Sequence, residues 1–230
     1  MKAPLPDCPN PKAPVRAVLF DLDGVLVDTM NWWREVRAEF AAAHGRLWTD
    51  ADESVMHGGN TREWRAETRE RLGLDMPEED VENAVIGGLL ERYERLGAPA
   101  IDGAAEALRR LSRRYALGVA SSSPMRVIEA AIAGLGVREL VGAVTSSDEV
   151  GAGKPDPDVF LLAARRLGVD PAECLVVEDS LNGVLAARAA GMRVVLIPDA
   201  SVPPAPGARE AATYCLGSLR DLDPERLAAG

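Results

Sequence analysis

A chain of 230 residues that is 47% hydrophobic and 27% charged can build one large domain, or a core with a smaller insert, and holds no apolar run long enough for a membrane-spanning helix. Its 36 acidic against 26 basic residues give a net charge of −10, which argues against nucleic acid or an anionic membrane as partner. The three cysteines, Cys8, Cys174 and Cys215, are odd in number and lack metal spacing, so reduced thiols in a cytoplasmic compartment are expected, with Cys174 in the core.

Residues 1–14 carry five prolines and no apolar h-region; they read as a flexible leader rather than a signal peptide. The run from Val15 to Phe20, interrupted only by Arg16, reads as a buried β-strand. It leads into FDLDGVLVDT, residues 20–29. Positions two apart on a strand share a face, so Asp21 and Asp23 can enter one site. Gly24 behind them allows a tight turn and a close approach of backbone amides to an anion. Residues 28 to about 97 read as helix throughout: WWREVRAEFAAAH, TREWRAETRERL, and PEEDVENAVIGGLLERYERL with its acidic first turn.

From residue 104 the rhythm alternates. AAEALRRLSRR, PMRVIEAAIAGL, PDVFLLAARRLG and LNGVLAARAAG read as helices; YALGVAS, VGAVTS, CLVVED and MRVVLIP read as strands. That alternation predicts a parallel sheet with crossover helices. The tail beyond residue 201 begins Pro-rich, then offers ATYCLGSL as a short edge strand and DLDPERL as a last helical turn. The expected organisation is an α/β doubly wound, Rossmann-like core of residues 15–27 and 101–230, with an all-helical insert at 28–100.

Three later strand or loop ends carry reactive side chains. YALGVAS ends in Ser121-Ser122-Ser123-Pro124, a helix start that suits either an ordinary N-cap or an anion site. Lys154 lies between glycine and proline in GAGKPDPDVF, and it is one of three lysines in the chain, the others being Lys2 and Lys12 in the leader. A body that uses arginine everywhere else has kept one compact ammonium. CLVVEDS ends in Glu178-Asp179, a second carboxylate pair at a C-terminal strand edge, where acids also complement a helix dipole.

In this order and spacing, these segments resemble the haloacid dehalogenase-like hydrolase superfamily over nearly the whole chain after the leader. The resemblance implies a sheet ordered 5-4-1-2-3 and a helical cap inserted after the first motif. It implies that Asp21 is a nucleophile forming an aspartyl-phosphate and that Asp23 is the general acid/base. It places Mg²⁺ on the Asp21 carboxylate, the Asp23 backbone carbonyl and Asp179, with Glu178 binding directly or through water. Ser121 and Lys154 would hold the transferring phosphoryl group, with Ser122 beside them. These roles suit the chemistry. Phosphomonoester hydrolysis is among the slowest uncatalysed reactions, and a covalent intermediate divides its barrier. Clustered carboxylates would repel an anionic substrate unless a hard divalent cation neutralised them.

The same resemblance narrows the branch. Dehalogenase relatives need neither the second acid nor the metal pair, and phosphonate-hydrolysing relatives need a cap lysine, which this insert lacks. Arg62, in GGNTREW, matches a cap arginine that binds the distal phosphate in β-phosphoglucomutases, but Trp33 stands where that branch carries histidine. ASSSP, EDSLNG and the cap tryptophan look more like bacterial sugar-phosphate phosphatases of the 2-deoxyglucose-6-phosphatase kind. The expected function is therefore a Mg²⁺-dependent, monomeric phosphatase of a small phosphorylated metabolite, with the mutase as alternative. Asp28, Trp33, His57, Asn60 and Arg62 are the candidate cap residues facing substrate. One of Trp32 and Trp33 is expected to pack with Val36 and Phe40 in the cap core instead.

Overall fold

The protein is described from a computed structural model covering residues 13–54, 56, 60–198 and 204–229; the expected leader lies almost wholly outside the described residues. The strands are β1 (Ala17–Phe20), β2 (Ala116–Ser121), β3 (Ala143–Ser146), β4 (Cys174–Glu178), β5 (Arg193–Leu196) and β6 (Tyr214–Cys215). They form one sheet in the order β3-β2-β1-β4-β5-β6, every pair parallel. Reversed, that is the expected 5-4-1-2-3 with the predicted edge strand added at one side. The edge strand is only two residues long, flanked by the bonds of Thr213 N–H to Val194 O and Leu216 N–H to Leu196 O.

Alternation along the strands explains why both sheet faces are apolar. Val18, Phe20, Leu117, Leu175 and Val177 join one cluster with α5 (Ala104–Leu111) and α6 (Met125–Gly134). Ala17, Leu19, Cys174, Val176 and Val194 join the opposite one with α7 (Asp158–Leu167) and α8 (Leu181–Ala189). Cys174 is fully buried, as its place in an apolar run implied. The chain closes with α9 (Ala208–Ala211) and α10 (Pro224–Ala229).

Between β1 and α5 lie α1 (Met30–Ala43), α2 (Asp50–Ser54), α3 (Thr61–Leu72) and α4 (Glu78–Leu96). The two connections run side by side: Asp28 N–H donates to Pro99 O at 2.8 Å and Ile101 N–H to Leu26 O at 3.0 Å. The helices bury Trp33, Val36, Phe40, Trp64, Leu72, Val85, Ile86 and Leu89 in the same cluster that reaches α6. Thus the insert shares an apolar seam with the sheet domain. Asn60 caps α3 in a capping box with Glu63, and Gly73 ends it in the left-handed region. Helix α2, DADES, falls within the stretch read as helical, although its four polar residues and one alanine carry no apolar period of their own. Among the described residues no helix is long and apolar enough to cross a membrane.

Candidate active site

Strand β1 delivers Asp21 to the C-terminal edge of the sheet, flanked by the ends of β2 and β4. The register pairs Phe20 with Val119 on one side and Val177 on the other, so Asp21 is level with Glu178 on β4 and with Ala120, the residue before Ser121, on β2. Past Asp21 the chain folds sharply: Leu22 O accepts from the N–H groups of Leu26 (2.8 Å) and Val27 (3.1 Å). Gly24 sits in this turn at φ +84°, and a Cβ there would lie 2.1 Å from Asp179 Oδ2. Only glycine permits both the turn and the approach of Asp179.

Lys154 enters from the loop after β3. Its Nζ donates to Asp21 Oδ1 at 2.5 Å, Glu178 Oε1 at 2.6 Å and Ala120 O at 3.2 Å, which uses all three ammonium hydrogens. It also stands 4.8 Å over the Phe160 ring. The residue is 8% exposed and Asp21 7%. Burial works against the charge of Lys154, but Asp21 and Glu178 outweigh it and hold the ammonium above lysine's ordinary value.

Glu178 is fully buried and saturated with donors. Besides Lys154, its Oε2 accepts from Asp179 N–H (3.0 Å), Ser180 N–H (3.1 Å) and Ser180 Oγ (3.0 Å). Ser180 in turn caps α8 by accepting from Gly183 N–H at 3.0 Å. A Cβ at position 183 would lie 1.8 Å from Glu178 Oε1. The sequence EDSLNG is therefore a unit: two acids, a cap that also anchors the first acid, and a glycine that leaves it room.

Ligand oxygens of Asp21, Glu178 and Asp179 lie within 4.8 Å of one another. Burial, opposed in part by Lys154, pushes the Asp21 carboxyl up to about 7. Burial, then the neighbouring Glu178 and Asp21, raises Asp179 well above the carboxylate range. Three carboxylates against one ammonium leave an excess of negative charge in a buried, all-oxygen site. That donor set fits a hard divalent cation.

The Asp23 carboxylate lies outside this cluster and is held by three donors. Thr29 Oγ1 and Trp33 Nε1 (3.3 Å) donate to its Oδ1, and Ser123 Oγ donates to its Oδ2 at 2.6 Å. Ser121 Oγ accepts from Ser123 N–H at 3.0 Å, closing the turn after β2. Ser122 Oγ is buried without a protein partner.

Except for the fully buried Thr29, the side chains around Asp23 face a cleft of about 180 Å³, whose opposite wall comes from the cap: Met30, Trp33, Arg37, Glu53, Met56 and Trp64. The sequence-predicted residues Asp21, Asp23, Ser121, Ser122, Lys154, Glu178, Asp179 and Trp33 all line it. Trp33 is both cap core and cleft wall, packed edge-on against Trp64 at 5.9 Å, whereas Trp32 packs on Tyr93. Other expectations need correction. Arg62 is exposed and lines a separate groove with Thr61 and Asp148, because α3 turns Thr61, Trp64 and Thr68 inward and leaves position 62 on its outer face. Asp28 is exposed and does not line the cleft. Asn60 spends its side chain on capping α3. His57 lies outside the described residues. Sequence reasoning missed Arg37, Glu53, Thr29 and Ser123. Arg37 had a signal, since it follows Trp33 by four residues on one helix; Glu53 had none, sitting in a short polar helix.

The chain matches the haloacid dehalogenase-like hydrolase family over residues 15–191. It belongs to that family. Among curated relatives of these hydrolases, fructose-1-phosphate phosphatase YqaB of Escherichia coli (strain K12) is 34% identical over 187 residues, 77% of this chain and 94% of that protein. The bifunctional riboflavin kinase/FMN phosphatase of Arabidopsis thaliana is 33% identical over 212 residues, 91% of this chain but 55% of that protein, so this chain spans about half its length. Among solved structures, CbbY of Rhodobacter sphaeroides in complex with phosphate superposes with a TM-score of 0.77 at 27% identity, covering 90% of this chain and 96% of that one. A β-phosphoglucomutase of Clostridium difficile reaches 0.79 at 20% identity, covering 94% and 96%. At that identity the likeness is one of fold.

Proposed function

We propose that this hydrolase is a phosphatase of a small phosphomonoester, a sugar or polyol phosphate, working through an aspartyl-phosphate on Asp21. The observation that carries the reading is the buried Asp21 at the end of the central strand, bonded to Lys154 at 2.5 Å and grouped with Glu178 and Asp179. Asp21 Oδ1 is held by Lys154, which orients the second carboxylate oxygen as the attacking atom. Attack on phosphorus forms the Asp21–phosphoryl bond and breaks the bond to the substrate's alcohol oxygen, which takes a proton from Asp23. Asp23 then accepts a proton from the water that attacks the phosphoryl group, releasing phosphate and restoring Asp21.

Thr29, Trp33 and Ser123 fix the orientation of Asp23 between those two steps. Lys154 and the Ser121–Ser123 turn supply fixed positive charge and donors where phosphoryl charge spreads. Asp21 and Asp179, with the Asp23 backbone carbonyl, would hold Mg²⁺; Glu178, its oxygens already engaged, fits contact through water. Bound there, the cation would neutralise the carboxylates and polarise the phosphoryl oxygens.

The names of the phosphatase relatives support the substrate class. The mutase alternative loses its main support, since Arg62 lies outside the cleft. The reading extends to a cytoplasmic monomer acting on a diffusible metabolite. The test is Mg²⁺-dependent phosphate release across hexose, hexitol, pentose and short-chain phosphates, with β-glucose-1-phosphate interconversion assayed alongside. Release from a few sugar phosphates, lost with EDTA, supports the phosphatase; slow release with fast interconversion favours the mutase.

A further inference from the structure

The cap wall of the cleft contains a feature that the catalytic steps do not use. Arg37 of α1 is 5% exposed and lines the cleft together with Glu53 of α2. Arg37 Nη1 lies 2.5 Å from Glu53 Oε1, and the other Glu53 oxygen accepts from Trp48 Nε1 at 2.7 Å. The guanidinium carbon stands 5.0 Å from the centre of the Trp33 ring and 5.8 Å from that of Trp64. Both stacking and ion pairing fix its position. Among the described residues, Arg37 Nε is nonetheless buried with no hydrogen-bond partner. A buried donor in a protein is ordinarily satisfied by protein, water or ligand.

We infer that Arg37 and Glu53 form a charge-balanced subsite that reads the leaving group, accepting a neutral hydroxylated one and disfavouring a second anionic group. The inference rests on the phosphatase reading above for its reaction, but its charge argument is independent of it. Among the described residues lining the cleft, the bases are Lys154 and Arg37. Lys154 is committed to Asp21 and Glu178, and Arg37 to Glu53. Among the described residues, a second phosphate entering beside the cap would meet no uncompensated positive charge, and would meet the Glu53 carboxylate. A sugar or polyol carbon chain would instead lie against Trp33 and Trp64, with its hydroxyls beside the neutral Arg37–Glu53 pair. Specificity would come as much from exclusion as from attraction.

The test compares wild type with Glu53→Gln and Arg37→Gln on three probes: p-nitrophenyl phosphate, glucose 6-phosphate and glucose 1,6-bisphosphate. Glu53→Gln keeps the shape and frees the charge of Arg37; it should shift the ratio of kcat/KM toward the bisphosphate by about tenfold. Arg37→Gln should raise KM for glucose 6-phosphate by about tenfold while p-nitrophenyl phosphate stays within about threefold. Arg37→Lys, which keeps charge but not the planar fork, should recover little.

Equilibrium binding of both sugar phosphates to Asp21→Asn and Asp21→Asn/Glu53→Gln proteins measures the same ratio without turnover. If wild type releases no phosphate from any probe, the phosphatase reading fails, and the binding ratio still decides the subsite. An unchanged mono- to bisphosphate ratio in Glu53→Gln, binding of neither sugar phosphate, or equal losses on all three probes in Arg37→Gln would overturn the inference.

Discussion

Lys154 Nζ lies 2.6 Å from Glu178 Oε1, and the pair is closed off from solvent, with side-chain exposures of 5% and 0%. The same ammonium reaches Asp21 Oδ1 at 2.5 Å. One cation thus ties the candidate nucleophile to an acid on the neighbouring strand, and removing either end leaves a buried charge unpaired.

Lys154→Met is therefore expected to affect both stability and turnover. Breaking a buried pair from one side costs about 3–5 kcal/mol, partly recovered here as Asp21 takes up a proton. Phosphate release from p-nitrophenyl phosphate should fall at least about a thousandfold. Near-normal kcat/KM would return Lys154 to a purely structural role.

Asp21→Asn keeps the shape and removes the nucleophile. Turnover should fall by about 10⁴-fold or more, with the circular-dichroism spectrum and cooperative melting of the wild type. Retained activity would refute the assignment of Asp21.

Gly24→Ala tests the approach of Asp179. A Cβ would stand 2.1 Å from Asp179 Oδ2 at a backbone φ of +84°, so strain of about 1 kcal/mol or more joins displacement of a carboxylate. The expected signature is a weakened response to Mg²⁺ at little change in fold. Equal Mg²⁺ dependence in variant and wild type would show that Asp179 is not needed for the metal.

Metal binding should depend on pH. Burial lifts the Asp21 carboxyl to about 7 and Asp179 in the same direction, and the cation requires both ionised. A carboxyl whose folded value exceeds its unfolded value favours the fold at low pH, and that benefit fades as pH rises through about 7. The rise in Tm on adding Mg²⁺ to EDTA-treated protein should accordingly be larger at about pH 8 than at about pH 6. Equal shifts at both would mean that these acids do not compete with the metal for protons.

Arg62→Ala should leave discrimination among sugar phosphates unchanged, because the side chain is exposed and lines the groove beside Asp148. A selective loss on one substrate would place Arg62 back at the cleft. Asp148 itself is engaged at this groove: it accepts from Thr61 N–H at 3.0 Å and Thr61 Oγ1 at 2.6 Å, bridging cap and sheet domain.

The sheet and the acid cluster were legible in the sequence for a local reason. A parallel strand buried on both faces reads as a continuous apolar run, and the residue at which that run ends is the residue the fold delivers to the sheet edge. Asp21, Ser121 and Glu178 each announce themselves this way, and Gly24 marks where backbone must make room; the same need at Gly183 showed only in the structure. The cap offered no such rule. Its helices could be read from their period, but which side faces the cleft depends on how α1, α2 and α3 pack on one another. That packing buried Arg37 against Trp33 and Trp64, brought Glu53 to it across 16 residues of sequence, and left Arg62 outside. Periodicity assigns a residue to a face of its own helix; only the packing of several helices decides what that face meets.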